Sequence, residues 1–229
     1  MNIVLYSGGQ QKSNHILHKA VVKLAREKNK NGTLQLTYIP FCSDNSSVFY
    51  DRAIRRYRSH GVERFFCLPV DQGLTRDEIK VTLSSDIIYL AGGNTFYFLH
   101  HLRKSGMLNH LRTFAKRGGV LAGLSAGGLI MSPTSKLAAD PGLGPDENDV
   151  KLKDFSGLNF FPFEFSPHFL ETPKQNEAHL AYSKKTPHPI FASSDGGGMV
   201  IRGHQYTVVG KGCFFYRGIK LETFKKHNA

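Results

Sequence analysis

Apolar positions in the first half of the chain fall into short runs, each followed by a longer stretch with helical spacing. Residues 2–6, 33–39, 64–68, 87–90 and 119–122 read as strands, and residues 12–28, 48–59, 75–83, 95–104 and 108–117 as helices between them. Strands alternating with helices predict a parallel sheet covered on both faces, an α/β three-layer sandwich. Past residue 132 the pattern dissolves into Pro, Gly and Asp as far as Asp149, a long irregular stretch of the kind that is either functional or mobile. A helix over 173–183 follows. Short runs at 190–192, 199–201, 206–209 and 213–216, broken by glycine turns, then predict antiparallel hairpins.

Composition narrows the class. The chain has 229 residues, 40% hydrophobic and 21% charged, which is enough apolar material for a core and excludes disordered, collagen-like and coiled-coil classes. No linker or repeat interrupts it, so one domain over 1–229 is expected. No apolar run reaches the roughly 18–20 residues that span a bilayer, and the expectation is a cytoplasmic protein without a membrane partner. Cys42, Cys67 and Cys213 are odd in number and lack metal-ligand spacing, so they read as buried thiols rather than a disulfide or zinc framework. The net charge of +12 attracts anions in general, but the cations lie in runs that read as solvated helix faces, and no nucleic-acid motif accompanies them.

Chemistry concentrates after the fifth strand. Gly123-Leu124-Ser125-Ala126-Gly127 is a G-x-S-x-G sequence between an apolar strand and a helix-competent run, the context of a nucleophile elbow. An acyl-transfer serine needs oxyanion donors. The elbow supplies the Ala126 N–H, and Gly92-Gly93-Asn94, closing the preceding strand, offers the Gly93 N–H at the same edge of the sheet. A phosphate loop is the weaker reading of that turn, because neither GxGxxG nor GxxxxGK[ST] is present.

Among 11 histidines, His168 stands out in Phe165-Ser166-Pro167-His168-Phe169, a polar imidazole where an apolar run stops at a proline. His15, His18, His60, His100, His101, His110 and His179 fall in or beside helical stretches, where solvated or capping roles are expected. Two carboxylates compete to orient the imidazole. Asp140 lies in the irregular stretch before Pro141, and Asp195 lies after the apolar run 190–192, before Gly196; either also suits an ordinary turn.

With Gly92-Gly93-Asn94-Thr95-Phe96, the serine elbow, residues 157–163, Pro167-His168-Phe169 and the glycine-rich turn after Asp195 in this order, the chain resembles the peptidase E (aspartyl dipeptidase) family of serine peptidases, which also includes cyanophycinase. The resemblance implies a fold akin to class I glutamine amidotransferase domains, with serine in place of their cysteine. It implies Ser125 as nucleophile, His168 as base, Gly93 and Ala126 as oxyanion donors and Asp140 as triad acid, while Asp195 falls where these enzymes often have a glutamate. Around Asp140 the chain is more apolar than the dipeptidases, and Arg202 and Lys136 are the cations considered for gripping an acidic side chain.

The expected activity is hydrolysis of short peptides from a free N-terminus, including peptides with N-terminal Asp, through an acyl-enzyme on Ser125 and with no metal or organic cofactor. Two rivals stand beside it: a cyanophycinase-like or other amide hydrolase on the same scaffold, and a non-catalytic basic binding module that keeps the elbow only as a turn.

Overall fold

The computed structural model describes residues 1–9, 11–41 and 46–222. The chain runs β1 (Asn2–Tyr6), α1 (His15–Lys28), β2 (Gln35–Ile39), α2 (Ser46–Arg58), β3 (Arg64–Cys67), α3 (Arg76–Ser84), β4 (Ile87–Leu90), α4 (Thr95–Lys104), α5 (Met107–Lys116), β5 (Val120–Leu124) and α6 (Ala126–Met131). It continues with β6 (Glu164–Ser166), α7 (Pro173–Ser183), β7 (Ile190–Ser193), β8 (Gly198–Arg202), β9 (Gln205–Val209), β10 (Gly212–Tyr216) and β11 (Ile219–Glu222). Side chains stop and start several helices as their sequence suggests. Asn94 caps α4 by accepting from the Tyr97 N–H, Thr75 and Glu78 form a capping box on α3, and Thr172 followed by Pro173 opens α7.

The first five strands form a parallel array in the order β3-β2-β4-β5-β1, which β8 and β9 extend with antiparallel pairing. Alternation along β1 shows why both faces are covered. Ile3 and Leu5 pack with Phe98, Leu102 and Leu111 of α4 and α5 on one face, whereas Val4 and Tyr6 pack with Leu17 and Val21 of α1 and Tyr57 of α2 on the other. This second face carries an unusually polar core. The Tyr6 and Tyr57 hydroxyls meet at 2.9 Å, and buried His18 holds the Tyr6 hydroxyl at 3.1 Å through Nδ1.

The C-terminal strands do not form one set of hairpins. Strands β6, β7, β10 and β11 build a separate four-stranded sheet in the order β11-β10-β7-β6, with β6 and β7 parallel, while β8 and β9 join the main sheet. Its inner face packs with α6 and α7 around Leu129, Phe169, Tyr182, Ile190 and Phe215. The expected irregular stretch holds two short 3-10 turns, Lys136–Ala139 and Pro141–Leu143.

Of the three thiols, Cys213 is buried and Cys67 only half-buried, because β3 is the outer strand of the main sheet; Cys42 lies outside the described residues. No helix among the described residues is long and apolar enough to cross a membrane.

Candidate active site

Strand β5 is the middle strand of the seven-stranded sheet, and at its end the chain turns through Ser125 into α6. Ser125 adopts φ 49° and ψ −111°, a conformation costly to a residue with a side chain. The surrounding backbone holds it: its N–H donates to the Tyr6 carbonyl at 3.0 Å, and its carbonyl accepts from the N–H groups of Gly128 and Leu129. Glycine is required on either side by close approach. A Cβ on Gly127 would stand 2.4 Å from the Leu90 carbonyl oxygen, and one on Gly123 would stand 2.8 Å from the Gly127 backbone. The tight turn lifts Oγ to the carboxyl edge of the sheet, where open α/β folds place their ligands.

His168 reaches the same point from the loop after β6. Its Nε2 lies 2.8 Å from Ser125 Oγ and its Nδ1 lies 2.6 Å from Asp195 Oδ1. This network is satisfied when the serine hydroxyl donates to Nε2 and Nδ1–H donates to the carboxylate. Both partners of the His–Asp pair are about half open to solvent, so the contact orients the ring and adds little to stability.

Sequence reasoning missed Ser7, which ties these segments together. It follows β1, is fully buried, and its Oγ accepts from the His168 backbone N–H at 2.6 Å and donates to the Ser193 carbonyl at 2.7 Å. Asp195 Oδ1 lies 3.2 Å from the same oxygen. The contact fixes a backbone that also has positive φ, 60° at His168. Strand register places it: β1 and β5 are parallel neighbours with Tyr6 opposite Leu124, which sets Ser7 beside Ser125.

Asp140 is not brought to the imidazole. Its Oδ1 accepts from the Gly142 N–H at 3.0 Å, capping the turn Pro141–Leu143, and its Oδ2 faces Lys185 at 3.5 Å. The expected partnership with His168 is therefore corrected to Asp195: the irregular stretch uses Asp140 to close its own turn, whereas the parallel pairing of β6 and β7 brings the two strand ends together. The cations considered for an acidic side chain are also elsewhere. Arg202 pairs with Glu27 at 2.9 Å at the start of β1, the opposite edge of the sheet, and Lys136 is exposed on its 3-10 turn. Two helical histidines prove buried rather than solvated. His18 is held neutral, its pKa pushed down to about 3 mainly by burial, and His179 is likewise lowered by burial. His179 donates through Nδ1 to the Gln175 carbonyl at 2.7 Å and accepts from Ser166 Oγ at 2.9 Å.

Ser125 opens into two cavities. The larger, about 690 Å³, is a cleft walled by Tyr38, Phe41, Phe49 and Leu124. The smaller, about 210 Å³, lies between α4, α7 and the irregular stretch. Gly93, Ser125 and His168 line both. Among the described residues the N–H groups of Gly93 and Ala126 donate to no protein acceptor, and no cluster of His, Cys, Asp and Glu could hold a metal ion.

The chain is similar to known peptidases. Peptidase E of Escherichia coli O1:K1 is 32% identical over 96 residues, a match covering 41% of this chain and only 38% of the length of that relative. The crystal structure of a candidate peptidase E protein from Listeria monocytogenes EGD-e superimposes with a TM-score of 0.66 at 25% identity, covering 90% of this chain and 96% of the other. A peptidase from an acI-B1 actinobacterium shares the fold, with a TM-score of 0.68 at 18% identity over 98% and 95% of the two chains. The model of peptidase family S51 matches residues 3–209, which span the elbow, His168 and Asp195. The chain belongs to peptidase family S51, a family of serine peptidases.

Proposed function

We propose that the protein is a serine exopeptidase that hydrolyses short peptides through an acyl-enzyme on Ser125. The observation that carries this reading is the continuous relay from Ser125 through His168 to Asp195, at 2.8 and 2.6 Å, opening into a cleft large enough for a peptide.

In this mechanism Ser125 Oγ attacks the scissile carbonyl while His168 Nε2 takes its proton. The carbonyl oxygen becomes an oxyanion held by the Gly93 and Ala126 N–H groups. The C–N bond then breaks, His168 returns the proton to the leaving amine, and the acyl group stays on Ser125. A water enters, gives its proton to His168 and releases the acid, restoring the serine. Asp195 keeps Nδ1 protonated and stabilises the imidazolium at each transfer, the role the resemblance assigned to Asp140. One oxyanion donor contributes a factor of about 10²–10³ in turnover.

Preference for N-terminal Asp would need a cation beside the serine, and the described residues lining the two cavities include neither Lys nor Arg. Short uncharged peptides are therefore the better substrates in this reading. Incubation with unblocked dipeptides, Ala-Leu and Asp-Leu among them, tests it by amine release beside the Ser125→Ala variant. Cleavage that depends on Ser125 supports it. An active Ser125→Ala protein, or inertness toward every peptide and activated ester offered, overturns it.

A further inference from the structure

The smaller cavity is a separate recess that meets the cleft at Gly93, Ser125 and His168. Its volume of about 210 Å³ corresponds to roughly seven waters at ~30 Å³ each, room for about one amino-acid residue. Its apolar wall comes from Leu129, Leu137, Ala138 and Leu143. Its polar groups are mostly satisfied: Ser166 and His179 bond each other, and His179 is neutral.

Two polar groups are left for a ligand. The Thr95 hydroxyl is buried with the residue 1% exposed and has no hydrogen-bond partner, an orphan that folding alone does not explain. Asp146 accepts from the Thr95 backbone N–H at 2.8 Å through Oδ2, while no hydrogen bond or ion pair engages its Oδ1. Asp146 supplies the only carboxylate among the described lining residues, which include neither Lys nor Arg.

An exopeptidase fixes where it cuts by holding a chain terminus in a closed end. That terminus is either a carboxylate, which needs a cation, or an ammonium, which needs an anion. Accepting the peptidase reading, on which this rests, we infer that the chamber takes the N-terminal residue of the peptide, with its α-ammonium on Asp146 and room only for a small, uncharged side chain. The leaving peptide lies in the aromatic cleft. An aspartate side chain entering the chamber would set a second carboxylate against Asp146, whereas alanine, serine or threonine fits its mixed wall and the free Thr95 hydroxyl.

Binding to the Ser125→Ala protein, measured by calorimetry, reads the chamber without turnover. Ala-Leu should bind about tenfold or more tightly than N-acetyl-Ala-Leu and than Asp-Leu, since each loses or opposes a charge-assisted contact. Asp146→Asn keeps an acceptor for the Thr95 N–H and should abolish the preference over the acetylated peptide. Ala138→Leu, which fills the chamber while keeping the backbone bond from the Asp146 N–H to the residue-138 carbonyl, should weaken Ala-Leu in the same way if the unfolding transition is retained. Equal binding of blocked and unblocked peptides, tighter binding of Asp-Leu, or no binding at all overturns the assignment. Release of leucine from Ala-Leu by the wild-type protein keeps the two readings apart: its absence, together with inertness toward activated esters, refutes the serine peptidase chemistry even where the binding preference is found.

Discussion

Replacing Ser7 by Ala removes a single buried oxygen that holds His168, the proposed base, from behind. The His168 N–H, now 2.6 Å from that oxygen, would be left without an acceptor, and the Ser193 carbonyl would lose its donor. An orphaned buried donor costs about 1–3 kcal/mol, and His168 already sits at positive φ, so the loop can recover that energy by relaxing away from the aligned conformation. If most of the cost is relieved in this way, the aligned fraction falls by roughly 5–150-fold. The expected signature is a kcat lowered by that factor with KM nearly unchanged, because Ser7 lines neither cavity. Steady-state kinetics on the best dipeptide, with thermal unfolding alongside, measures both. Ser7→Cys, which retains a weak acceptor and donor of similar shape, should recover part of the rate. A kcat within twofold of wild type together with a lowered Tm would refute the reasoning, since Ser7 would then stabilise the fold without positioning the base.

Asp195→Asn should cut kcat by about 10⁴, as expected when the imidazole is held in the wrong tautomer, whereas Asp140→Asn should leave kcat close to wild type; the reverse order would restore Asp140 as the acid. Gly8→Ala should impair catalysis with little loss of fold, because Gly8 has φ 65° and a Cβ there would stand 2.5 Å from Asp195 Cγ, driving the carboxylate off His168; undiminished turnover would count against Asp195. His18 gives a pH test. Its folded pKa of about 3 lies below the ordinary 6.5, so the unfolded chain takes up the proton first and stability falls as the pH drops below about 6.5, by about 2 kcal/mol at pH 5. The stability difference between wild type and His18→Gln, followed from pH 7 to pH 5, should therefore shrink by about that amount, and a difference constant across the range would show that His18 is not held neutral.

Much of the main sheet was legible because its strands are buried on both faces and its helices carry one apolar side, patterns that burial writes into a sequence. Residues 2–6, 87–90, 95–104 and 173–183 were predicted with the bounds the structure has. The elbow and His168 were legible for a different reason: tight turns demand glycine and proline at fixed places. The partner of His168 was not. Which aspartate reaches the ring depends on the pairing of β6 with β7, where Ser166 faces Ala192, and such registers join segments distant in sequence without a local mark. The same limit hid the second sheet, since hairpin signals tell how neighbouring strands turn but not which sheet each one enters. Strand β11 escaped notice because its exposed face leaves Ile219 and Leu221 among charged residues. Ser7 carried no motif at all, and only its position opposite the elbow gives it meaning.

The proposed nucleophile Ser125 belongs to one sheet and the proposed base His168 to the loop leaving the other, while Asp195 sits on the short passage between them, after β7 and before β8. His168 lies 43 residues after Ser125, and Asp195 a further 27 on. During synthesis the serine can therefore be strained, buttressed and exposed long before a base exists to activate it, and the base arrives before anything holds its tautomer. In the proposed reading, hydrolysis is withheld until the segments carrying His168 and Asp195 have closed against the elbow, so an unfinished or half-opened molecule carries the hydroxyl without the means to use it. Turnover thereby becomes a report on whether two sheets have met, and any perturbation that loosens their joint should silence the protein well before it melts.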